Sequence, residues 1–477
     1  MISSDRMAAV DRNAAALGVA QAKLMESAGN AVGRAVAGLV APDSSVAIVA
    51  GRGNNGGDGF AAARFLAGYD VTVHLLGRPS GITTEVAWEN WEALQAAEIH
   101  TETVRDSTAL DLGDPDAVVD AVLGTGVTGA PREPERTAIE AINATDATTV
   151  AVDVPSGMDA DTGEVADVAV AADRVVTFHD VKPGLVDRED VTVADIGIPE
   201  AAERFVGPGD LRQIDRPGES HKGDFGRVMV VGGGPYTGAP ALAAQAALRA
   251  GADLAYVNVP EPVADRVQGY SEDLIVEPLI GTRLLPEHVD ELVDRAANRD
   301  VVVLGPGIGD ADDTQRAVGA FLEAFDGRAV VDADALQAVP GVDTDATLVC
   351  TPHQGELVEM GGPERDDWEE RATLVEGFAA DLGHTLLVKG AYDVVSDGET
   401  TRVNRTGNPG MTVGGTGDVL AGATGAFLAR LDPVDAAAVG AYANGVAGDA
   451  VVEESGYGLL ASDLLSALPP AIWGDRR

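Results

Sequence analysis

Cysteine is almost absent from this chain: Cys350 stands alone among 477 residues, so no internal disulfide is possible. It lies in the apolar run Ala346-Thr-Leu-Val-Cys-Thr351, which reads as a buried core thiol and not as a nucleophile. Lysine is nearly as scarce, occurring only at Lys23, Lys182, Lys222 and Lys389, so each is a candidate for a specific task. Positive charge as a whole is short, with 33 Lys plus Arg against 77 Asp plus Glu and a formal net charge of −44. Binding of a nucleic-acid backbone by the whole molecule is thereby excluded, because such binding draws on clustered basic residues. No apolar stretch approaches the roughly 20 residues that span a bilayer. The N-terminal Asp5, Arg6, Asp11 and Arg12 are not those of a signal peptide. The expectation is a cytoplasmic protein with neither membrane nor nucleic acid as partner; a homo-oligomer is left open.

What is present is the composition of a folded chain. Hydrophobic residues make up 45% and charged residues 23%, with the acids scattered among apolar periodic segments and not gathered into a tail. The acidic excess suits a halophile's cytosol, where the Debye length falls to about 3 Å and carboxylate repulsion is screened.

Short β-rich runs alternate with Ala-rich helical ones, which predicts α/β folding around parallel sheets. In the first half the strands are 46–50, 71–76, 117–123, 149–154, 174–177 and 191–196, with helices at 60–67 and 85–97 among the segments between them. A stretch rich in Pro, Gly and charge, 207–223, marks a boundary. Strands resume at 227–231, 254–259, 274–278, 300–304, 329–332, 347–350 and 385–389, and two Ala/Gly-rich helices, 418–430 and 434–452, close the chain. Glycine, 58 residues in all, gathers at strand ends, where parallel sheets bind ligands.

Gly51-Arg-Gly-Asn-Asn-Gly-Gly-Asp-Gly59 follows a strand and opens a helix, and Gly51, Gly53 and Gly56 have dinucleotide-fold spacing. An ordinary NAD-dependent dehydrogenase also needs an acid at the end of the second strand, and that strand ends in Gly77-Arg78-Pro79. The Asn54 to Asp58 core offers amides and side-chain oxygens, suited to a phosphate beside a hard cation. Asp120 runs into the Gly124-Thr-Gly-Val127 loop, and Asp153 precedes Val-Pro-Ser156-Gly157; each alone could be only a tight turn. Together with the Met25-Glu-Ser-Ala-Gly-Asn30 helix, these segments resemble the NAD(P)HX epimerase family over about residues 1 to 205. The resemblance implies that Asn54, Asn55, Gly56, Gly57, Asp58, Gly124, Thr125, Gly126, Val127, Thr128, Gly129, Ala130 and Asp153 line the substrate site. It also implies a potassium ion at Asn55, Asp120 and Ser156. Asp153 is the candidate acid/base. His179 and Lys182 are possible site residues whose roles stay open, a solvated loop being the simpler reading of His179.

In the second half, Asn408-Pro-Gly-Met-Thr-Val-Gly-Gly-Thr-Gly-Asp418 runs into a helix, where free amides and the dipole face an anion. Asp418 is a candidate base, the alternative being a plain N-cap. Thr351-Pro-His-Gln-Gly-Glu356, Val388-Lys-Gly-Ala-Tyr-Asp393, Gly305-Pro-Gly-Ile-Gly309 and Gly233-Gly-Pro-Tyr-Thr-Gly-Ala239 lie at other strand ends. As a set they resemble the nucleotide-dependent NAD(P)HX dehydratase family over about residues 212 to 470. The resemblance implies hydrated nicotinamide substrate at Ala239, Gly307, His353 and Asp418, and nucleotide at Lys389, Gly390, Ala391, Tyr392, Asp393 and Gly417.

The two resemblances imply an α/β chain with a Rossmann-like three-layer domain at 1–210 and a ribokinase-like domain at 211–477. They imply repair of NADHX and NADPHX by epimerisation and by dehydration at the expense of ADP or ATP, with Mg2+ and K+. Two rivals remain: a ribokinase-like kinase of a vitamin precursor, and a first domain that binds nucleotide without catalysis.

Overall fold

The structure, a computed structural model, describes residues 1–474. It divides into two compact units, one running from Met1 to Ala202 and the other beginning at Glu203. The division precedes position 210 because the intervening segment is fastened to the second unit. Phe205 bridges Val403, Val206 N donates to Val403 O at 2.9 Å, and buried Arg402 pairs with buried Asp210 at 2.8 Å.

In the first unit, β1 (Ser45–Ala50), β2 (Asp70–Leu76), β3 (His100–Val104), β4 (Ala117–Ala121), β5 (Thr148–Val152), β6 (Arg174–Phe178) and β7 (Val191–Ala194) form one sheet. Its order is β3-β2-β1-β4-β5-β6-β7, with every pair parallel. Strand alternation feeds two cores. Val46, Ile48 and Ala50 join Phe60 and Leu66 on one face, while Ala47 and Val49 join Ile139 and Ile142 on the other. Each such Val, Ile or Phe contributes about 1.5–3 kcal/mol by burial. The chain reverses direction across the sheet between β1 and β4, and such a switch point opens a crevice at the C-terminal strand ends.

In the second unit, β8 (Arg227–Val231), β9 (Leu254–Pro260), β10 (Leu274–Leu279), β11 (Val301–Leu304), β12 (Arg328–Val331), β13 (Thr347–Cys350) and β14 (Thr385–Val388) are parallel. An antiparallel hairpin of β15 (Asp393–Ser396) and β16 (Thr401–Asn404) extends the edge, giving the order β10-β9-β8-β11-β12-β13-β14-β15-β16. Val228 and Val230 face one core, Met229 and Val231 the other. Cys350 is wholly buried, and burial pushes its thiol up to about 12, as a core residue and not a nucleophile.

Several sequence expectations need correction. The helix expected at 60–67 begins earlier, since Asn54 to Asp58 already form its first turn in the Asn54–Phe65 helix, which Gly53 precedes in extended conformation. β4 and β5 stop at Ala121 and Val152, short of the apolar runs, because the chain turns there into the crevice. A third helix, Ala461–Trp473, follows the expected closing pair (now Thr416–Leu428 and Pro433–Ser455) although it contains Pro469 and Pro470.

Gly422 lets the Thr416–Leu428 helix lie directly on the Gly238–Arg249 helix, since a Cβ there would collide with the Ala243 carbonyl oxygen. G422A is expected to destabilise the second unit by about 1–3 kcal/mol through overpacking. G414A, where a Cβ meets nothing within 4 Å, supplies the control in the same thermal or urea unfolding experiment.

Candidate active sites

At the first switch point the glycines admit one chain to another. A Cβ on Gly51 would strike the Val122 carbonyl oxygen, and one on Gly56 the Gly51 carbonyl oxygen, so the motif's first demand is close packing of the β1 and β4 ends. Gly124 packs against the Asn55 side chain, where a Cβ would lie 3.2 Å from Oδ1, and Asn55 Nδ2 donates to Leu123 O at 3.0 Å. Asn54 Oδ1 accepts from Thr84 at 2.7 Å. Gly126 to Ala130 are exposed, whereas Gly56 and Gly57 are buried, Gly57 against Met25 and Ala87. The expected residues thus divide into a packed floor and an open rim.

Asp120, with 0% exposure, accepts from Ser156 N at 2.8 Å, Ser156 Oγ at 2.5 Å and Val122 N at 3.3 Å. All these donors are neutral, and burial pushes the carboxyl up to about 6 against them. Ser156 Oγ also lies 3.1 Å from Leu123 O and accepts from Leu123 N at 2.8 Å. Its single proton serves one of the two oxygens, so Asp120, Ser156 and Leu123 bring more acceptors together than donors.

Asp153 follows β5 in the left-handed region, φ 64°, and His179 follows β6 with φ 68°. Such backbone in non-glycine residues is held by its surroundings. Three donors converge on Asp153 Oδ1: Thr177 Oγ1 at 3.1 Å, Phe178 N at 3.1 Å and Lys182 Nζ at 2.7 Å. Lys182 has 0% exposure and also donates to Phe178 O at 2.8 Å. The lysine whose role was open is therefore the buried counter-ion of Asp153. Asp58 lies near enough that burial, then the charges of Asp153 and Asp11, raise its carboxyl well above the usual range.

In the second unit Gly415, with φ 100°, caps the Thr416–Leu428 helix, which places Asp418 inside the first turn and not at the N-cap. Lys389 Nζ lies 3.0 Å from Asp332 Oδ1 and 3.7 Å from Glu356, and a Cβ on Gly417 would sit 3.4 Å from it. Burial opposes the charge on Lys389, but Asp332, Glu356 and Asp418 together raise its pKa above the ordinary lysine value. Burial, then repulsion from Asp332, pushes Asp418 up to about 7 against the attraction of Lys389.

A cleft of about 700 Å³ is lined by His353, Lys389, Gly390, Ala391, Asp393 and Gly417, together with the 406–413 loop and the Pro433–Ser455 helix. His353 is 61% exposed on its side chain, and its Nδ1 accepts from Gly355 N and Glu356 N as a helix cap. Asp393 accepts from Gly390 N and Asn404 Nδ2, both at 2.9 Å, fixing the turn after β14; burial pushes it up to about 6. Tyr392 does not line this cleft, since its ring stacks on Trp368 at 4.9 Å. Ala239 and Gly307 meet each other at the β8/β11 switch point, where Gly307 has φ 72°, and also lie outside the cleft.

Sequence reading missed Asp332, which is 2% exposed and accepts from Thr351 Oγ1 at 2.7 Å. Its signal was a carboxylate directly after the apolar run Ala329-Val-Val331, followed by Ala333 with φ 53°.

A Rossmann-like unit with carboxylates at its switch point, together with a ribokinase-like unit carrying a Gly-rich helix start and an aspartate, defines a two-site α/β enzyme. Residues 21–184 match the family described as YjeF-related protein N-terminus, and residues 228–470 the family described as NAD(P)H-hydrate dehydratase. The bifunctional NAD(P)H-hydrate repair enzyme of Pyrobaculum aerophilum is 46% identical over 99% of this chain and 98% of its own. That of Methanothermobacter thermautotrophicus is 44% identical over 97% of this chain and 93% of its own. Among solved structures, the ADP/ATP-dependent NAD(P)H-hydrate dehydratase from Bacillus subtilis, co-crystallised with ATP and Mg2+, matches with TM-score 0.50 and 26% identity. It covers 57% of this chain and 99% of that one. The chain belongs to the bifunctional NAD(P)H-hydrate repair enzymes, with the epimerase in its first unit and the dehydratase in its second.

Removing one partner of a buried ion pair strands the other. K182M is expected to destabilise the first unit by about 3–5 kcal/mol, and D153N/K182M to recover a large part of that loss. Urea unfolding of the two variants checks the pairing.

Proposed function

We propose that this enzyme returns both epimers of hydrated NADH and NADPH to use, with phosphoryl transfer from ADP or ATP driving the dehydration. The observation that carries this reading is the placing of Asp418 beside Lys389, at the start of a helix whose Gly414 to Gly417 turn offers free amides. A stereospecific phosphoryl-acceptor site uses one epimer, and the first unit recycles the other. Both units are thereby accounted for, whereas a vitamin-precursor kinase leaves the first without a task.

For epimerisation, the substrate hydroxyl sits on the carbon beside the ring nitrogen, so the nitrogen lone pair can expel it and water can return on the opposite face. Asp153 is the acid/base, with Oδ1 occupied by Lys182, Thr177 and Phe178 so that Oδ2 is the working oxygen. Asp58 offers a proton donor, and Asn54 to Gly57 with Gly124 to Ala130 frame the dinucleotide. Asp120, Ser156 and Asn55 fit a potassium ion, because Asp120 is a buried carboxylate met only by neutral donors. Bound there, the ion would supply positive charge to the phosphate-binding end of the crevice.

For dehydration, Asp418 takes the proton as the substrate hydroxyl attacks the terminal phosphate of the donor. The P–O bond to the departing nucleotide breaks, while the Gly414 to Gly417 amides steady the phosphoryl oxygens. The ring nitrogen's lone pair then expels inorganic phosphate, and the neighbouring carbon loses a proton to restore the double bond. Lys389, Gly390, Ala391, Tyr392, Asp393 and Gly417 hold the nucleotide, Tyr392 through its backbone. Ala239, Gly307 and His353 hold the substrate. Mg2+ would enter with the donor's phosphates and supply charge neutralisation there. No helix among the described residues is long and apolar enough to cross a membrane.

A mixture of hydrated NADH epimers, supplied with ADP or ATP and followed by the return of reduced-nicotinamide absorbance, tests the whole reading. Complete conversion is expected, and none would refute it. D418N should lose about 10²–10⁴-fold in dehydration with epimerisation intact, and D153N should stop conversion near half. Since Asp418 must be unprotonated to act, kcat/KM for dehydration should rise with pH through about 7 and fall tenfold per unit below it. Protonation of Asp120 should compete with potassium, so the K+ concentration that half-activates epimerisation should rise as pH falls below about 6.

A further inference from the structure

The dehydratase cleft extends beyond the residues assigned to phosphates. Its remaining wall comes from the 406–413 loop and the Pro433–Ser455 helix, and the loop is fastened to that helix at two places. Thr406 Oγ1 donates to Tyr442 O at 3.2 Å, while Gly407 N and Asn408 Nδ2 donate to the Asp449 carboxylate at 3.0 and 2.8 Å. Gly445 and Gly448 permit the approach, since Cβ atoms there would strike Thr406 and Met411. The wall is therefore built in advance of any ligand.

Asn444 lies between these two fastenings. It lines the cleft at 5% exposure, and its Oδ1 is buried without a hydrogen-bond partner. The loop–helix bonds engage Thr406, Asn408 and Asp449, but they leave this oxygen out. A buried, unpartnered amide oxygen is costly, and a rotation of the amide that brings it to a donor in the cleft recovers the loss. Leu420, Ala441 and Met411 beside it give the apolar faces that a planar heterocycle requires.

We propose, resting on the nucleotide-driven reading above, that Asn444 selects the base of the phosphoryl donor. Its Oδ1 accepts from the exocyclic amine of adenine while Nδ2 donates to the adjacent ring nitrogen, the two-point match of this side chain to adenine. Hypoxanthine and guanine carry a carbonyl in place of that amine, so Oδ1 would face another acceptor. The lining contains no arginine to favour guanine, and its lysine, Lys389, is engaged by Asp332 at 3.0 Å. The adenine concerned is assigned to the donor and not to the dinucleotide: Lys389, Gly390, Ala391, Asp393 and Gly417 of the nucleotide set line this cleft, while of the substrate set His353 does and Ala239, Gly307 and Asp418 do not.

The test compares kcat/KM for dehydration with ADP and with IDP, or ATP and ITP, in the full-length enzyme and in N444A and N444D. The unaltered enzyme should prefer the adenine nucleotide by about 10- to 100-fold. N444A should narrow the preference to within about threefold, mainly by raising KM for the adenine nucleotide. N444D, which keeps an acceptor, should retain part of it. Thermal unfolding of the same preparations, with the transition of the second unit unchanged, reports that the unit carrying Asn444 is folded. Equal use of both bases by the unaltered enzyme, or an unchanged ratio in N444A, overturns the assignment of Asn444 alone. Dehydration at full rate without any nucleotide overturns the nucleotide-driven reading and this selection with it.

Discussion

The Lys182 ammonium, wholly removed from solvent, lies 2.7 Å from Asp153 Oδ1, and Lys389 lies 3.0 Å from the buried Asp332. These are two of the four lysines in the chain. Taking a carboxylate out of water costs several kcal/mol unless an opposite charge or several donors meet it. At both sites that cost is met by a lysine reaching up from the chain just beyond a C-terminal strand end. Where no lysine is available, at Asp120, the carboxyl rises to about 6 instead. The carboxylates, their partners and the strained backbone at Asp153, His179 and Ala333 form one constraint: acids are held at strand ends, partly desolvated, with Asp153 and Asp332 each met on Oδ1 and Asp120 met on both oxygens.

Parallel sheets make this arrangement available because every strand delivers its last residue to the same edge. The crevice forms where the chain switches direction across the sheet, between β1 and β4 and again between β8 and β11. Glycine then decides how near the loops can come. Gly51, Gly56, Gly232 and Gly305 each lie where a Cβ would meet a carbonyl oxygen of the neighbouring strand end or turn. The same residues that look like a phosphate-binding signature are thus first a packing requirement, and the free amides follow from that packing.

Much of this was legible in the sequence, because the features that form it are local. Strand alternation, Gly-rich strand ends and the aspartates at 120, 153 and 418 are visible in short windows. Asp332 could have been found by the rule that found Asp153. The β15–β16 hairpin carried its own signal, since Asp397-Gly398 separates two valine-bearing runs, a common turn pair. β3 gave little, being a short polar edge strand. Pairings across the sheet were not readable: that Ser156 caps Asp120, or that Lys182 reaches Asp153 with no exposure, depends on which strands are neighbours and how deep they lie. Asn444 had no signal at all. In an Ala/Gly-rich helix a single amide looks like any other polar residue until its oxygen is found buried without a partner.

The net charge of −44 takes a different meaning at the sites. Lys182 is matched by Asp153, and Lys389 faces Asp332, Glu356 and Asp418, so neither lysine leaves a surplus of positive charge for an incoming phosphate. An anionic ligand must be met instead by neutral dipoles, the amides of the Gly414 to Gly417 turn and of the Asn54–Phe65 helix start, and, on the proposed function, by the donor's own cation and a potassium ion at Asp120. Added salt weakens attraction between exposed charges, with a Debye length of about 3 Å at molar concentration. It does little to a hydrogen bond from a fixed amide or to a cation in direct contact with oxygen. A site built from glycine amides and bound cations therefore keeps its hold on phosphate in strong salt, where a patch of surface lysines would lose it.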